Sequence, residues 1–526
     1  MKRYNLIVVG AGPAGLSAAI EARKYGMSVI VFDENHKPGG QLFKQIHKFF
    51  GSKEHKAKIR GFKIGSMLLD DAISSGVEVK LDAVVSGLYQ NKEVTVIHDG
   101  KVNHYKGDSI VVATGASENM VPFKGWTLPG VIGAGAAQTL MNLHGVKPGN
   151  KIVMLGSGNV GLVVSFQLLQ AGCEVLAVVD ASKRIGGYGV HASKVSRTGV
   201  PFYLGYTIKE VSGTEKVQGV TIAKIDEKFN FISGTEISFD ADTVCVAVGL
   251  SPMSQLLKMA GCKMEDNPKK GGQVPLVDEF GETSVKGIFA SGDVSGIEEA
   301  SAAMIKGKTA GLRAAFLQGF TSEMEELAVQ YKEELSGLRQ GMFSPANKGK
   351  PVSKTDEGLP VSETLLEKGY IADEEIERFP GFTRQNGIHP VIECTQNIPC
   401  NPCQESCKRN CIKIGSCITS LPQVQNPCSC SGCGMCVANC SGQAIFLVNE
   451  NYEENFASVT IPYEFLPLPE KGEKGFALGR NGKKVCEAEI IEVRSSPAFD
   501  HTNLVTMKVP KEFSMKARFF KIQENL

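Results

Sequence analysis

The sequence predicts a doubly wound α/β protein with a cysteine-rich module and a small β domain behind it. Three observations predict this architecture. A strand, glycine-rich turn and helix pattern occurs twice, at 4–34 and at 151–180. Apolar strand-like runs alternate with amphipathic helices as far as residue 318 or so. Finally, 11 of the 15 cysteines crowd between Cys394 and Cys440.

A chain of 526 residues exceeds one ordinary core, so two to four domains are expected. Hydrophobic residues at 42% and charged residues at 21% suit a globular protein, and a formal charge of +1 gives no global case for binding nucleic acid or an anionic membrane. The longest apolar stretch, 151–180, is broken by glycines, Asn159, Gln167, Gln170 and Glu174, unlike a bilayer span. The start, MKRYNLIVVGAG, superficially resembles an export signal, but its apolar run is short and is needed as a strand. A soluble, cytoplasmic protein is expected.

The first glycine pattern reads NLIVVGAGPAGLSAAIEARKYGMSVIVFDE. Gly10, Gly12 and Gly15 follow a strand and open a helix near Pro13 and Ala14. Glycine there permits a tight turn, approach of backbone N–H groups to a pyrophosphate, and close helix–strand packing. Asp33 and Glu34 end the next strand, where a carboxylate would accept ribose hydroxyls. The second copy, KIVMLGSGNVGLVVSFQLLQAGCEVLAVVD, places Gly156, Gly158, Asn159, Val160 and Gly161 the same way, with Asp180 at the strand end. Asp180 favours an unphosphorylated ribose, as in NAD, although Arg184 nearby blurs that choice. Another adenine nucleotide, or an empty site, stays open.

The cysteine block carries a second chemistry. In SCSGCGMCVANC, Cys430, Cys433, Cys436 and Cys440 have the spacing that bacterial ferredoxins use for an iron–sulfur cluster, where the fourth cysteine serves a different cluster. Upstream, ECTQNIPCNPCQESCKRNC supplies partners. The reciprocal arrangement gives one [4Fe–4S] cluster on Cys394, Cys400, Cys403 and Cys440, and another on Cys407, Cys430, Cys433 and Cys436. Cys411 could replace Cys407, Cys428 could replace Cys430, and Cys417 is left over. Lys408 and Ser441 stand where ferredoxins favour proline. A disulfide framework suits small secreted domains, and a zinc ribbon wants four ligands rather than eleven cysteines.

Two further segments, SIVVATGA (109–116) and GIFASGDVSGIEEA (287–300), complete a family pattern. The chain resembles the two-dinucleotide-domain flavoproteins, including the pyridine nucleotide–disulfide oxidoreductases. That resemblance implies two interleaved Rossmann-like domains, the first for FAD and the second for NAD(H) or another adenine nucleotide. It also implies flavin contacts at Ala113, Thr114, Gly115, Gly292 and Asp293, and at Gly40 and Gln41 in PGGQL, with the helix after Gly292 pointing its dipole at the flavin. The implied boundaries are 1–120 and 246–320 for the FAD domain and 121–245 for the second nucleotide domain. A helical linker (321–388), the ferredoxin-like domain (389–450) and the small β domain (451–526) follow. No redox cysteine pair precedes residue 390; Cys173, Cys245 and Cys262 read as inert buried residues, so electrons leave the flavin another way.

PFKGWTLPGVIGAGAAQTLMN (122–142) and 39–71 resemble the larger subunit of multi-subunit dye-linked amino-acid dehydrogenases, the group of opine oxidase, sarcosine or proline dehydrogenase and hydrogen cyanide synthase. The resemblance implies an electron-transferring subunit beside a second FAD subunit that oxidises the amine, with NAD or a ferredoxin as electron exchanger. The alternative is an NAD(P)H–ferredoxin-type oxidoreductase like the flavin–cluster subunit of glutamate synthase. No catalytic residue stands out. His47, His55 and His191 read as loop histidines more readily than as pocket residues, and the basic run from His36 to Lys63 as a solvated face more readily than as a dock for an acidic partner.

Overall fold

The computed structural model describes residues 1–322, 324–348, 350–425 and 429–523, in two units: 1–119 with 249–350, and 120–248 with 351–526. In the first unit, Lys2–Val9 is a central strand whose last four residues are all buried. It pairs in parallel with Val29–Phe32 on one side and Lys101–Val112 on the other. Both faces are covered, which is why these strands read as unbroken apolar runs. Ile288–Ala290 adds to Lys101–Val112 in parallel, so the late segment returns to the first sheet.

Helix Pro13–Lys24 lies against helix Ala300–Leu317 at close range. A Cβ on Gly307 would stand 2.1 Å from Ala14 O, and one on Gly311 2.4 Å from Ala18 O. Helix Met324–Leu338, charged on most of its surface, buries Met324 and Tyr331 against Ile305 and Leu312. One face of this helix, in the expected helical linker, therefore belongs to a core. No described helix is long and apolar enough to cross a membrane.

The second unit holds a five-stranded parallel sheet in the order Phe202–Leu204, Glu174–Asp180, Lys151–Leu155, Thr243–Val246, Val131–Gly133. It also holds a seven-stranded antiparallel sheet that begins at His389–Ile392 and Ile445–Asn449 and runs on through Phe456–Tyr463 into the C-terminal strands. The cysteine block is the excursion between the first two of these strands. Residues 389–392 and 445–449 pair with one another, and 445–449 pairs with 456–463. The separation expected at 450/451 therefore falls in a hairpin inside one sheet. Phe446, Val459 and Ile461 share one hydrophobic core with the later strands as far as Phe520, which holds them together.

The tail sheet rests on the second glycine-rich fold. Phe465 meets Phe166 edge-on at 5.1 Å, and Gln170 Nε2 donates to Glu464 O at 3.2 Å. Gly482 approaches Gly199 so closely that a Cβ on Gly482 would lie 2.5 Å from the Gly199 Cα.

Candidate functional site

Three segments of the first unit converge on the start of helix Pro13–Lys24. Gly10 has φ +103°, and a Cβ there would meet Ala113 O at 2.3 Å. Gly15 is excluded from any larger residue by Gly10 O at 1.9 Å. Gly12, by contrast, has only the Gly40 Cα within 4 Å, so its outer side is open to a ligand. Gly39 N donates to Ala11 O at 2.8 Å, which seats the PGGQL loop on the glycine turn, and Gln41 is exposed beside it. Gly292 closes over Ala14: a Cβ on Gly292 would lie 2.8 Å from the Ala14 Cβ. Thr114 Oγ1 donates to Met253 O at 2.7 Å, and Met253 N donates to Gly115 O at 3.0 Å.

Asp33 is buried, and its carboxylate is occupied by the protein itself. Oδ2 accepts from Ala11 N at 2.5 Å, and Oδ1 accepts from Asn35 N and Nδ2 at 2.8 and 2.9 Å. Glu34, next in the chain, is exposed. Burial pushes the Asp293 carboxyl up to about 6, against the Glu298 N–H and the charge of Lys306. The helix expected directly after Gly292 is a 3-10 turn, Gly292–Ser295, and the long helix starts only at Ala300.

The second glycine turn repeats the main-chain part of this construction. Gly156 has φ +115° and meets Ala247 O, and Gly161 meets Gly156 O. Asp180 Oδ2 accepts from Ser157 N and Oγ at 2.6 and 2.7 Å, while Oδ1 accepts from Ser182 N at 2.8 Å. No carboxylate follows Asp180, and Arg184 pairs with Glu363 at 2.8 Å. Gly158 has nothing within 4 Å of its Cβ direction, and Val160 is exposed. The loop after Asp180 turns back onto the helix start, however. Tyr188 N donates to Asn159 Oδ1 at 2.7 Å, and a Cβ on Gly187 would lie 2.8 Å from Asn159 N.

The cysteine module has an internal near-symmetry. Pro402–Ser406 and Met435–Asn439 are short helices carrying Cys403 and Cys436, and each ends at a further cysteine, Cys407 and Cys440. They touch through Asn439 Nδ2 donating to Ser406 Oγ at 3.0 Å. Cys411 N donates to Cys407 Sγ at 3.3 Å, and Ala444 N donates to Cys440 Sγ at 3.4 Å, each four residues downstream. Cys411 is thus the counterpart of Ala444, buried, with its N–H on another cysteine's sulfur. Pairing of Ile392 with Ile445 brings Cys394 toward Cys440. Gly432 and Gly434 have φ +69° and +76°, and Gly432 N donates to Cys430 Sγ at 3.5 Å.

Cys394, Cys403, Cys407, Cys433, Cys436 and Cys440 form no disulfide. Burial pushes Cys403 up to about 12, with the charges of Cys440 and Cys407 adding to it. Burial likewise raises Cys394, helped by Cys440 and Cys403, and raises Cys436, helped by Cys430, Cys407 and Cys433. These neighbour sets cross the two expected quartets, because Cys407 acts on Cys403 and Cys403 acts on Cys436. Among the described residues, no three His, Cys, Asp or Glu side chains could hold a single metal ion. Cys417 is exposed, and Cys428 lies outside the described residues.

Other expectations need correction. His55 and His191 are buried rather than solvated: His55 Nε2 lies 3.1 Å from Glu334 Oε1, and His191 stacks on Tyr188. His47 stacks on Phe49 at 5.0 Å. The basic run is not one solvated face, because Lys48 and Arg60 are buried and burial lowers Lys44, opposed by Glu118. Sequence reasoning missed a buried ionic knot in which Arg480 and Arg518 both clamp Glu393, the residue before Cys394. Burial works against ionising Glu393, but the two arginines overcome it and hold its carboxyl below the usual range.

The twin folds and the flavin cradle define an FAD-dependent oxidoreductase. The chain belongs to the pyridine nucleotide-disulphide oxidoreductase family, whose profile matches residues 4–307. It is 32% identical over 329 residues to an opine oxidase subunit of Agrobacterium tumefaciens (strain Ach5), covering 59% of this chain and 65% of that one. It is 26% identical to hydrogen cyanide synthase subunit HcnB of Pseudomonas aeruginosa, over 65% of this chain and 78% of that one. The chain therefore spans less than two thirds of the opine oxidase subunit's length. Among solved structures, thioredoxin reductase of T. acidophilum aligns with TM-score 0.50 and 21% identity, over 61% of this chain and all of that one, a likeness of fold alone.

Proposed function

We propose that this chain is the electron-transferring FAD and iron–sulfur subunit of an amino-acid or amine dehydrogenase complex with a proline-, sarcosine- or opine-like substrate. The observation that supports this reading is the cysteine module, where short helices carry Cys403 and Cys436 and end at Cys407 and Cys440; the quartets read from the spacing are Cys394, Cys400, Cys403, Cys440 and Cys407, Cys430, Cys433, Cys436. The similarity to opine oxidase and hydrogen cyanide synthase subunits supports it, and implies a second, substrate-oxidising FAD subunit. FAD exchanges two electrons, and [4Fe–4S] clusters pass them singly to a carrier such as NAD or a ferredoxin.

The residues divide the work. The turn Gly10 to Gly15 and the N-terminus of the helix from Pro13 receive the FAD pyrophosphate. Glu34 takes the ribose, while Asp33 locks the turn. Gly40, Gln41, Ala113, Thr114, Gly115, Gly292 and Asp293 surround the rest of the cofactor. Gly156, Gly158 and Gly161 form the second cradle, for NAD(H) or another adenine nucleotide.

The open side of Gly158 also favours a second reading, an NAD(P)H–ferredoxin-type oxidoreductase without an amine partner. Anaerobic co-purification followed by mass spectrometry and metal analysis separates the two. A second flavoprotein subunit with about eight irons per chain is expected for two clusters. Flavin reduction by NADH alone, with no partner and no amine-dependent dye reduction, would replace the first reading with the second.

A further inference from the structure

Arg339 lies just past helix Met324–Leu338, outside the residues 4–307 that match the family profile. Its side chain nevertheless reaches the turn that carries Asp293. Nε donates to Glu298 Oε2 at 2.8 Å and Nη2 to Oε1 at 2.7 Å, a planar fork on one carboxylate. Lys306, in helix Ala300–Leu317, holds its Nζ 2.8 Å from the same Oε1 and donates to Ser295 Oγ at 3.2 Å. Ser295 Oγ in turn donates to Gly292 O at 2.8 Å, and Glu298 N donates to Asp293 Oδ1 at 3.2 Å. The turn 292–298 is thus bonded to itself and clamped at its end by two cations. It is also pressed on the first glycine turn, since Gly292 meets Ala14 and Gly307, next to Lys306, meets Ala14 O.

We propose that Arg339 and Lys306 are positioning residues for FAD: holding Glu298 between them, they fix the 292–298 turn so that Asp293 presents its carboxylate to the cofactor. The inference rests on the placement of Gly292 and Asp293 in the FAD cradle proposed above. Residues 296–299 lie between the 3-10 turn and the long helix, with Gly296 at φ +135°, so no helical ladder sets their path. Ile297 N on Lys270 O at 3.1 Å and the clamp on Glu298 set it instead. Burial works against ionising Glu298, yet Arg339 and Lys306 overcome it and hold its carboxyl below the usual range. At Asp293, burial and the Glu298 charge raise the carboxyl, while the Glu298 N–H and the charges of Lys306 and Lys348 oppose them. Lys270, packed on Gly296, is paired with Glu265 at 2.9 Å. Two cations on one carboxylate leave a surplus positive charge beside Asp293, which favours the ionised form that accepts hydrogen bonds from hydroxyls. A carboxylate fixed before the ligand arrives also spares the ordering cost at binding.

The test is a double-mutant cycle with Asp293→Asn, read by titrating FAD into the deflavinated full chain and following flavin fluorescence. Asp293→Asn alone should weaken FAD binding about tenfold. Arg339→Met should weaken it by a similar factor in the wild-type background, and by less than about twofold beside Asp293→Asn. Arg339→Gln repeats this arm if the methionine variant does not fold. Lys306→Met should move the midpoint of the pH dependence of FAD affinity upward, because a cation beside Asp293 is lost, and Lys306→Arg should restore it. No loss from Arg339→Met, or equal losses in both backgrounds, would overturn the proposal, as would an unmoved pH midpoint in a folded Lys306→Met chain. Full FAD affinity in Asp293→Asn would instead overturn the placement of Asp293 in the cradle, and this inference with it.

Discussion

The two glycine-rich turns are built alike and surrounded differently. Both have a first glycine at φ above +100°, a third glycine pressed on the first, and an aspartate that grips the residue between the first two. That shared part is the fold's own requirement, because the turn cannot close without it. Around the first turn, Gly40 and Gly292 converge and an exposed Glu34 follows the aspartate. Around the second, Gly187 and Tyr188 fold back on Asn159, and the helix that follows binds the cysteine module. The glycines alone therefore mark a closed turn, and the ligand is decided by what approaches them.

The largest effect expected from this difference follows from the open middle glycine. Gly12→Val places a branched side chain where the pyrophosphate must approach, and should weaken FAD binding by about 100-fold, on the order of 3 kcal/mol. Gly158→Val should leave the flavin content of the purified chain unchanged. Flavin absorbance per protein after gel filtration reads both. Equal flavin loss in the two variants would erase the distinction between the turns.

How much of this was legible follows the range of the interactions. Gly10, Gly12, Gly15 and their second-copy partners were legible because a turn writes its steric needs into neighbouring residues. The cysteine spacings were legible, and short helices end at Cys407 and Cys440 within them. The role of Asp33 was not, since its bond to Ala11 N spans 22 residues and looks in sequence like any strand-end acid. Arg480, Arg518, Lys194 and Arg197 were invisible for a related reason. Basic residues are ordinarily exposed, and only tertiary packing shows that these four are not. The tail strands were recognisable by alternation, yet their union with residues 389–392 and 445–449 depends on long-range register.

A pH effect sharpens the comparison next. The first fold ends its returning strand beside the half-buried Asp293, whereas Thr243–Val246 of the second is followed by Ala247, Val248 and Gly249. Asp293 has a folded value of about 6 against an ordinary 3.8, so the folded apo-protein holds a proton there that the unfolded chain releases. Stability from this group is therefore present below pH 3.8 and declines as pH rises through 6, by at most about 3 kcal/mol. Asp293→Asn should flatten that decline in urea melts of the apo-chain between pH 5 and pH 7.5. An unchanged slope would mean that Asp293 is ionised throughout.

The smallest effect compares the aspartates themselves. Asp33→Asn and Asp180→Asn keep the shape but remove the charge that accepts three bonds in each turn. A hydrogen bond to a charged group contributes about 1.5–3 kcal/mol, and the amide retains part of it, so each variant should lose roughly 1–2 kcal/mol. If the grip is structural, the two losses should be similar in apo-protein melts, and Asp33→Asn should still retain FAD once folded. Glu34→Gln should do the reverse, weakening FAD several-fold with no change in apo-protein stability. Loss of FAD from Asp33→Asn without loss of stability would assign the ribose to Asp33, and would make Asp180, bonded in the same way, the better candidate for a ribose contact in the second fold.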